Sequence, residues 1–219
     1  MSDEARIYLI RHGATSANEQ RPYILQGGGV DNPLSDAGKQ QAEAVGRFLS
    51  SYPLDYVYSS PLSRAHDTAD CIAAPHGRVV ESIDALREAD VGIWEGMTWE
   101  RIMEEHPEHY QGFMEDPGKV AYLGGESYAD VRDRVDPVLT ELGHRHAGQT
   151  IAVIAHQVVN RSVLAGLLGL ELKDARKIRQ ATTGINGIRW QAGRLRLDTL
   201  NARFHLDGTN SGRHFPSRV

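Results

Sequence analysis

Apolar runs of strand length alternate with longer stretches of helical period along most of the chain, and this alternation limits the fold more than any other feature of the sequence. The runs predict strands at residues 6–10, 56–59 and 151–155 and helices at residues 36–51, 63–73, 127–146 and 158–168. An antiparallel pair, residues 185–190 and 195–200, follows around Gly193. This βαβα order with a final hairpin predicts an α/β fold, a three-layer sandwich with a mainly parallel sheet between two layers of helices.

Two segments fall outside this alternation. Residues 88–125 have little strand character and two aromatic clusters, so we expect an inserted lid rather than a second domain. Residues 208–219 are polar and rich in Gly, Ser and Arg, which favours a loose tail.

Pro137 lies inside the predicted helix at 127–146 and is expected to kink or break it. We expect residues 1–219 to form one domain.

The charge balance and the single cysteine narrow the range of partners. The 24 Lys and Arg residues are outnumbered by 29 Asp and Glu residues, and without a basic run we expect no nucleic acid partner. The apolar runs are too short to span a bilayer, so we expect no membrane partner. The first residues are charged, so we expect no signal peptide. Cys71 has no second cysteine to pair with, which favours a reducing compartment, and we expect a cytoplasmic protein.

Cationic side chains come directly after the predicted strands. Arg11 and His12 close the first strand, Arg64 opens the helix after the second, and His156 follows the strand at 151–155. Because the carboxyl ends of parallel strands meet at one edge of a sheet, we expect these side chains to converge. Crowded cations repel one another unless an anion or surrounding acids offset them. Guanidinium groups match phosphate oxygens, so we favour phosphate, while a sulfate, a carboxylate or a purely structural cluster remain open.

A site of this kind also needs a nucleophile and an acid. His12 is the candidate nucleophile, because neighbouring cations favour the neutral imidazole that such a role requires. An alkoxide leaving group needs a proton, and three carboxylates in one short segment compete for that role: Glu88, Asp90 and Glu95. The residues alone do not separate the three.

Five motifs occur in order along the chain. They are RHGATSAN at 11–18, LQGG at 25–28, PLSDAGKQQA at 33–42, SPLSRA at 60–65 and AH at 155–156, with Glu88 between the last two. In this order and spacing, the chain resembles the histidine phosphatase superfamily, also called phosphoglycerate-mutase-like, over roughly residues 6–165. The resemblance implies the α/β fold predicted above and a phosphohistidine mechanism that needs neither a cofactor nor a metal.

The resemblance also implies roles for individual residues. His12 would attack the phosphorus atom and carry the phosphoryl group. Arg11, Arg64 and His156 would hold the nonbridging oxygens. Glu88 stands where the superfamily keeps its acid, which selects it over the two competing carboxylates.

A further set of features resembles the fructose-2,6-bisphosphatase branch of the superfamily. His156 is followed by glutamine rather than glycine, and the segments at 96–102 and 124–128 also match that branch. The substrate-binding residues implied by the two resemblances are Asn18, Gln26, Gly27, Tyr128, Gln157 and Arg161. From the residues alone, Gln157 could equally cap a helix and Arg161 could form a surface ion pair.

The chain departs from that branch in two places. Trp99 stands where the branch has tyrosine, and Lys119 is the only basic residue left in the segment before Gly124. We therefore expect a cofactor-independent, acid-type phosphomonoesterase that acts on small phosphorylated metabolites, with sugar phosphates favoured. A phosphoglycerate mutase and a catalytically silent phospholigand-binding module are the alternatives. A homodimer is one assembly open to the chain.

Overall fold

One sheet of six strands forms the centre of the fold in residues 4–206, the part of the chain that the computed structural model describes. The strands are β1 (Glu4–Arg11), β2 (Tyr56–Ser59), β3 (Val80–Ser82), β4 (Thr150–Ala155), β5 (Ile185–Gln191) and β6 (Arg194–Ala202). Their order is β3-β2-β4-β1-β5-β6; the first four run parallel, and β5 is antiparallel to both of its neighbours. The predicted mainly parallel sheet is confirmed.

Helices cover both faces of this sheet. They are α1 (Ser16–Glu19), α2 (Asp36–Leu49), α3 (Ser63–Ala73), α4 (Trp99–Glu105), α5 (Pro107–Glu115), α6 (Tyr128–Arg145) and α7 (Gln157–Leu167). Side chains of β4 alternate between two apolar clusters: Val153 packs with α6 and α7, whereas Ile154 packs with α2 and α3. Because successive strand residues point to opposite faces, this alternation produces the predicted three layers.

Most predicted elements match the structure to within two residues. The Ser35 hydroxyl accepts a hydrogen bond from the Gly38 N–H at 3.0 Å and so caps α2, which ends at Leu49 rather than at residue 51. The bounds of β2 and α3 are as predicted, and Gly193, with φ of +77°, lies in the turn of the predicted hairpin. The short elements β3 and α1 were not predicted.

Helix α6 runs through Pro137 without a break, so the predicted break is wrong. Pro137 is on the exposed side of the helix, where the carbonyl that loses its N–H partner can bond to water. Val135 and Leu139 on either side are fully buried and pack into the core, which anchors the helix both before and after Pro137.

The segment at 88–125, predicted as a lid, contains α4 and α5 and packs on the α6 side of the sheet. Trp94 and Phe113 are fully buried in the same apolar cluster as the side chains of α6, α7 and β4. A backbone bridge between Ile24 and Thr98 ties this segment to the loop after α1. The predicted tail at 208–219 lies outside the described residues.

Within residues 4–206, none of the helices combines the length and the hydropathy needed to cross a bilayer.

Candidate active site

Two histidines meet at the carboxyl edge of the sheet. His12 follows β1 and His156 follows β4, and the register of these neighbouring strands pairs Arg11 with Ala155. The backbone N–H of His12 donates to the Ala155 carbonyl at 3.0 Å. The centroids of the two imidazole rings are 5.1 Å apart, with their planes inclined at 56°. The predicted convergence of strand ends therefore occurs.

The His12 ring is held in one tautomer. Its Nδ1 lies 2.6 Å from the carbonyl oxygen of Gly13, and we assign the ring proton to Nδ1 because only a donor can bond to a carbonyl. Burial lowers the pKa of His12 well below its ordinary value, and the charges of Arg64 and Arg11 lower it further. At neutral pH the ring is uncharged and presents the lone pair of Nε2, as a nitrogen nucleophile must.

Two buried arginines lie close to these rings. Arg11 donates from Nη1 to the Gln180 carbonyl at 2.8 Å, and Arg64 donates from Nη2 to the Gly27 carbonyl at 2.9 Å and from Nη1 to the Val30 carbonyl at 3.1 Å. Burial lowers the pKa of both guanidinium groups, which still remain protonated at neutral pH. Their neutral acceptors fix both side chains without cancelling the positive charge.

Several buried polar atoms around these side chains have no hydrogen-bond partner among residues 4–206. They are the Nε atoms of Arg11 and Arg64, the Nε2 of Gln26 and both ring nitrogens of His156. An unsatisfied buried polar group costs roughly 1–3 kcal/mol, so a ligand that supplies acceptors would stabilise this arrangement. Burial, and after it the charge of Arg64, lowers the pKa of His156 well below its ordinary value. Guanidinium and neutral imidazole donors together suit a tetrahedral oxyanion.

Glu88 lies close to this group, at the start of α7. Its carboxylate accepts hydrogen bonds from the first N–H groups of α7, at 2.9 Å from Gln157 and 3.2 Å from Val158, and from the Ala89 N–H at 3.0 Å. The side chain is buried, and its charge acts on the pKa of both arginines. Helix α7 begins directly after His156, so the same helix end positions the carboxylate and the second histidine.

The two other candidate carboxylates, Asp90 and Glu95, bond to backbone N–H groups of loops instead of to the start of α7. Asp90 is exposed and accepts a hydrogen bond from the Gly92 N–H at 2.8 Å. Glu95 accepts from the N–H groups of Gly27 at 2.7 Å and Gly29 at 3.2 Å, and so fixes the loop that holds Arg64. At Gly27, a predicted ligand contact, the N–H and the carbonyl both bond within the protein.

Asn18 and Gln26 are tied together by Thr15. The Thr15 N–H donates to Asn18 Oδ1 at 3.1 Å, and the Thr15 hydroxyl donates to Gln26 Oε1 at 2.7 Å. Both side-chain oxygens are therefore used within the protein. The amide nitrogens are the groups that these two residues can offer to a ligand.

The remaining predicted contacts border the same region. Tyr128, the first residue of α6, is buried against Tyr122, with their ring centroids 6.4 Å apart. Gln157 is the first residue of α7. Arg161 donates from Nε to the Ile178 carbonyl at 2.9 Å, and its charge lowers the pKa of Arg11. Arg161 is therefore held by a backbone carbonyl and lies close enough to Arg11 for their charges to interact.

Two residues near the site were not predicted. Tyr23 interacts electrostatically with Arg11, Glu88 and Arg161, and burial raises the pKa of its phenol. Gln180 supplies the carbonyl that accepts from Arg11. Both lie in irregular segments without hydrophobic period, so the sequence carries no signal that points to them.

In the described part of the chain, no three His, Cys, Asp or Glu side chains are grouped so that they could hold a metal ion. The arrangement that the site offers is instead one of cationic and neutral donors around a histidine.

A buried imidazole beside buried guanidinium groups at the sheet edge of an α/β protein suits the class of proteins that handle phosphoryl groups. The model of the histidine phosphatase superfamily (branch 1) matches residues 7–203. The chain belongs to this superfamily.

Its relatives include several phosphatases. Phosphoserine phosphatase 1 of Hydrogenobacter thermophilus is 40% identical over 167 residues, 76% of this chain and 78% of the relative. The 6-phosphofructo-2-kinase/fructose-2,6-bisphosphatase 1 of Mus musculus is 37% identical over 165 residues, 74% of this chain but 32% of that protein. The structure of mycobacterial glucosyl-3-phosphoglycerate phosphatase is similar with a TM-score of 0.79 and 29% identity, and the match covers 91% of this chain and 100% of that chain.

Proposed function

We propose that the protein is a cytoplasmic, cofactor-independent phosphomonoesterase that hydrolyses small phosphorylated metabolites through a phosphohistidine on His12. The observation that carries this proposal is the buried, uncharged His12 ring, with Nδ1 bonded to the Gly13 carbonyl and Nε2 available, beside two buried guanidinium groups. A histidine with a purely structural role would gain nothing from neighbouring cations that oppose its protonation.

In the first step, the His12 Nε2 lone pair attacks the phosphorus atom, and the bond from phosphorus to the ester oxygen breaks. Protonated Glu88 gives its proton to the departing alkoxide, a contribution of about 10²–10⁴ in rate. Arg11, Arg64 and His156 stabilise the charge on the three nonbridging oxygens, which is the main source of catalysis in phosphoryl transfer. The products of this step are an alcohol and phosphohistidine.

In the second step, Glu88, now a carboxylate, takes a proton from a water molecule that attacks the phosphohistidine. The bond between phosphorus and Nε2 breaks, orthophosphate leaves, and neutral His12 and protonated Glu88 are restored. One residue thus serves as acid and then as base, and no proton is gained or lost by the enzyme over the cycle.

Sugar phosphates are the substrate class that we favour. The name of one relative refers to a sugar bisphosphate and that of another to a phosphoglycerate that carries a glucosyl group. Arg161 adds a cation beside Arg11 that suits a second anionic group on the substrate. The names of the relatives also include phosphoserine, so the amino acid phosphate belongs in any test.

The test is a phosphate-release screen over sugar monophosphates and bisphosphates, phosphoglycerates, phosphoserine and nucleotides, with His12→Ala as the control. We expect release from at least one sugar phosphate and a loss of about 10³-fold or more in the variant. Quenching with alkaline denaturant during turnover of a ³²P-labelled substrate should trap label on His12 that is stable in base and is released by acid.

The alternatives give different results in the same experiment. Isomerisation of phosphoglycerate that exceeds phosphate release would make the protein a mutase. Tight phosphate binding without release from any substrate would make it a silent binding module. Phosphate release that survives His12→Ala would refute the phosphohistidine mechanism.

A further inference from the structure

Arg134 and Glu126 form an ion pair next to the segment that carries Glu88. Arg134 lies on α6, and Glu126 precedes the residue that caps this helix. The pair is bidentate: Arg134 Nε donates to Glu126 Oε1 at 2.7 Å, and Nη2 donates to Oε2 at 3.0 Å. Their side chains are 24% and 26% exposed, so both are shielded from solvent more than ordinary surface pairs are. We call this pair the Arg134–Glu126 clamp.

The clamp holds the backbone on both sides of Glu88. Arg134 donates from Nη1 to the Ala85 carbonyl at 2.5 Å and from Nη2 to the Glu88 carbonyl at 3.4 Å. Glu126 Oε2 accepts from the Asp90 N–H at 2.9 Å, and the Glu126 N–H donates to the Asp90 carbonyl at 2.8 Å. The clamp thus contacts the backbone at Ala85, at Glu88 itself and at Asp90.

This segment depends on side chains for its position. Glu88 lies between two 3-10 helices, Asp84–Leu86 and Gly92–Trp94, and belongs to no strand or helix. The Ala89 N–H bonds to the carboxylate of Glu88 itself, and the Ala89 carbonyl accepts from the Gly28 N–H at 2.9 Å. Without a regular backbone ladder, the contacts made by the clamp are, beside the bond from Gly28, the main-chain contacts that hold the Glu88 segment in place.

We propose that Arg134 and Glu126 are positioning residues that fix Glu88 for proton transfer, an inference that rests on the acid–base role given to Glu88 in the proposed function. A displacement of about 1 Å in a catalytic group can cost about 10²-fold in rate. The clamp does not touch the reacting atoms itself, and it acts through the backbone that carries the acid.

Leaving groups separate this role from a purely structural one. An alkyl phosphate needs a proton on its departing oxygen, whereas p-nitrophenolate leaves without one. The ratio kcat/KM reports the steps up to the first irreversible one, which is phosphorylation of His12 when the alcohol is released. A misplaced Glu88 therefore lowers kcat/KM for alkyl phosphates and leaves kcat/KM for p-nitrophenyl phosphate nearly unchanged.

The experiment compares Arg134→Met and Glu126→Gln with Arg132→Met, on an alkyl substrate from the screen and on p-nitrophenyl phosphate. Arg132 is the matched control, because it lies on the same helix and its ion-pair partner is the neighbouring Asp133. We expect Arg134→Met to lower kcat/KM for the alkyl substrate by about 10–10²-fold and for the aryl substrate by less than about threefold. Glu126→Gln keeps an acceptor but loses the charge, and should give a smaller loss with the same selectivity.

A double-mutant cycle with Glu88→Gln completes the test. If the clamp acts through the acid, Arg134→Met should cost less than about twofold once Glu88→Gln is present. All rates are measured well below the melting temperature of each variant, so that unfolding does not contribute. Should Arg134→Met also lower the melting temperature, the alkyl-to-aryl ratio still distinguishes the two roles.

The outcomes distinguish a failure of the clamp proposal from a failure of the acid role of Glu88. A loss that is equal for both substrates, or that persists in full beside Glu88→Gln, shows that the clamp is structural and overturns this inference alone. Full activity of Glu88→Gln on alkyl phosphates overturns the acid role of Glu88 in the proposed function, and the clamp proposal with it. A selective loss in both Glu88→Gln and Arg134→Met supports both.

Discussion

At the scale of single residues, the site depends on how each buried cation is held. Arg11 and Arg64 donate to backbone carbonyls, which orient the guanidinium groups and leave their charge available to a ligand. A carboxylate partner would have competed with an anionic substrate for the same donors. The orientation of the Arg64 guanidinium therefore depends on the position of the loop that supplies the Gly27 carbonyl.

Gly27→Ala should disrupt that loop. A Cβ at this position would lie 2.7 Å from the Ala89 carbonyl oxygen and 2.7 Å from Val91 Cγ2, so the backbone must move away. Overpacking of this kind costs about 1–3 kcal/mol of unfolding free energy. We expect kcat/KM to fall at least about tenfold as Arg64 loses its acceptor.

Gly29→Ala is the matched control for this prediction, measured by thermal melts and phosphate release. The nearest atoms to a Cβ there all belong to the flexible Glu95 side chain, at 3.1 Å and beyond, and a small shift of that side chain accommodates it. Equal losses in the two alanine variants would show that crowding at Gly27 is not the cause.

The sequence predicts residues that follow regular strands better than residues in irregular loops. Arg11, His12 and His156 come directly after periodic apolar runs, so the edge at which they meet could be inferred. Glu88 has no such marker, since it lies between short 3-10 helices beside other carboxylates, and only the family resemblance selected it. Tyr23 reaches the site through a loop whose path depends on tertiary contacts.

At the scale of secondary-structure elements, helices α6 and α7 differ in how much space their glycines have. A Cβ on Gly143 of α6 would lie 2.5 Å from the Trp190 ring, whereas a Cβ on Gly166 of α7 meets nothing within 4 Å. We expect Gly166→Ala to raise the free energy of unfolding by about 0.5–1 kcal/mol, because alanine favours the helix. Gly143→Ala should lower it by about 1–3 kcal/mol.

Urea denaturation of both alanine variants checks this pair. The expected signs are opposite although the substitution is the same. A gain in stability from Gly143→Ala would mean that Trp190 does not pack closely against α6.

Element length decides what the sequence can predict at this scale. Strand β4 is six residues long and fully buried, so it is evident as an apolar run. Strand β3 has three residues, Val80–Ser82, which is too short for an alternation to be recognised. Helices α4 and α5 are also short, although Thr98, whose hydroxyl accepts from the Arg101 N–H, is an N-cap signal in the sequence.

At the scale of the whole molecule, the two buried histidines couple stability to pH. The pKa values of His12 and His156 lie well below 6.5 in the folded protein and return to about 6.5 on unfolding. Below pH 6.5 the unfolded chain therefore binds protons that the folded protein does not. The free energy of unfolding should fall with falling pH, by up to about 1.4 kcal/mol per pH unit for each histidine, until the folded pKa is reached.

Chemical denaturation between pH 7.5 and pH 5 tests this coupling. His156→Gln removes one of the two groups and should make the loss of stability on acidification shallower. Orthophosphate should stabilise the wild-type protein by binding the cationic group. An unchanged pH slope in the variant would contradict the coupling.

Strand β1 is the first of the described strands, yet both of its neighbours in the sheet, β4 and β5, begin about 140 residues or more after its end in the sequence. The hydrogen bond from Arg11 to the Gln180 carbonyl joins residues 169 positions apart. During translation, β1 therefore lacks both of its neighbours in the sheet until β4 and β5 have been synthesised. The buried position of Arg11 can therefore form only after the segment that contains Gln180 has left the ribosome.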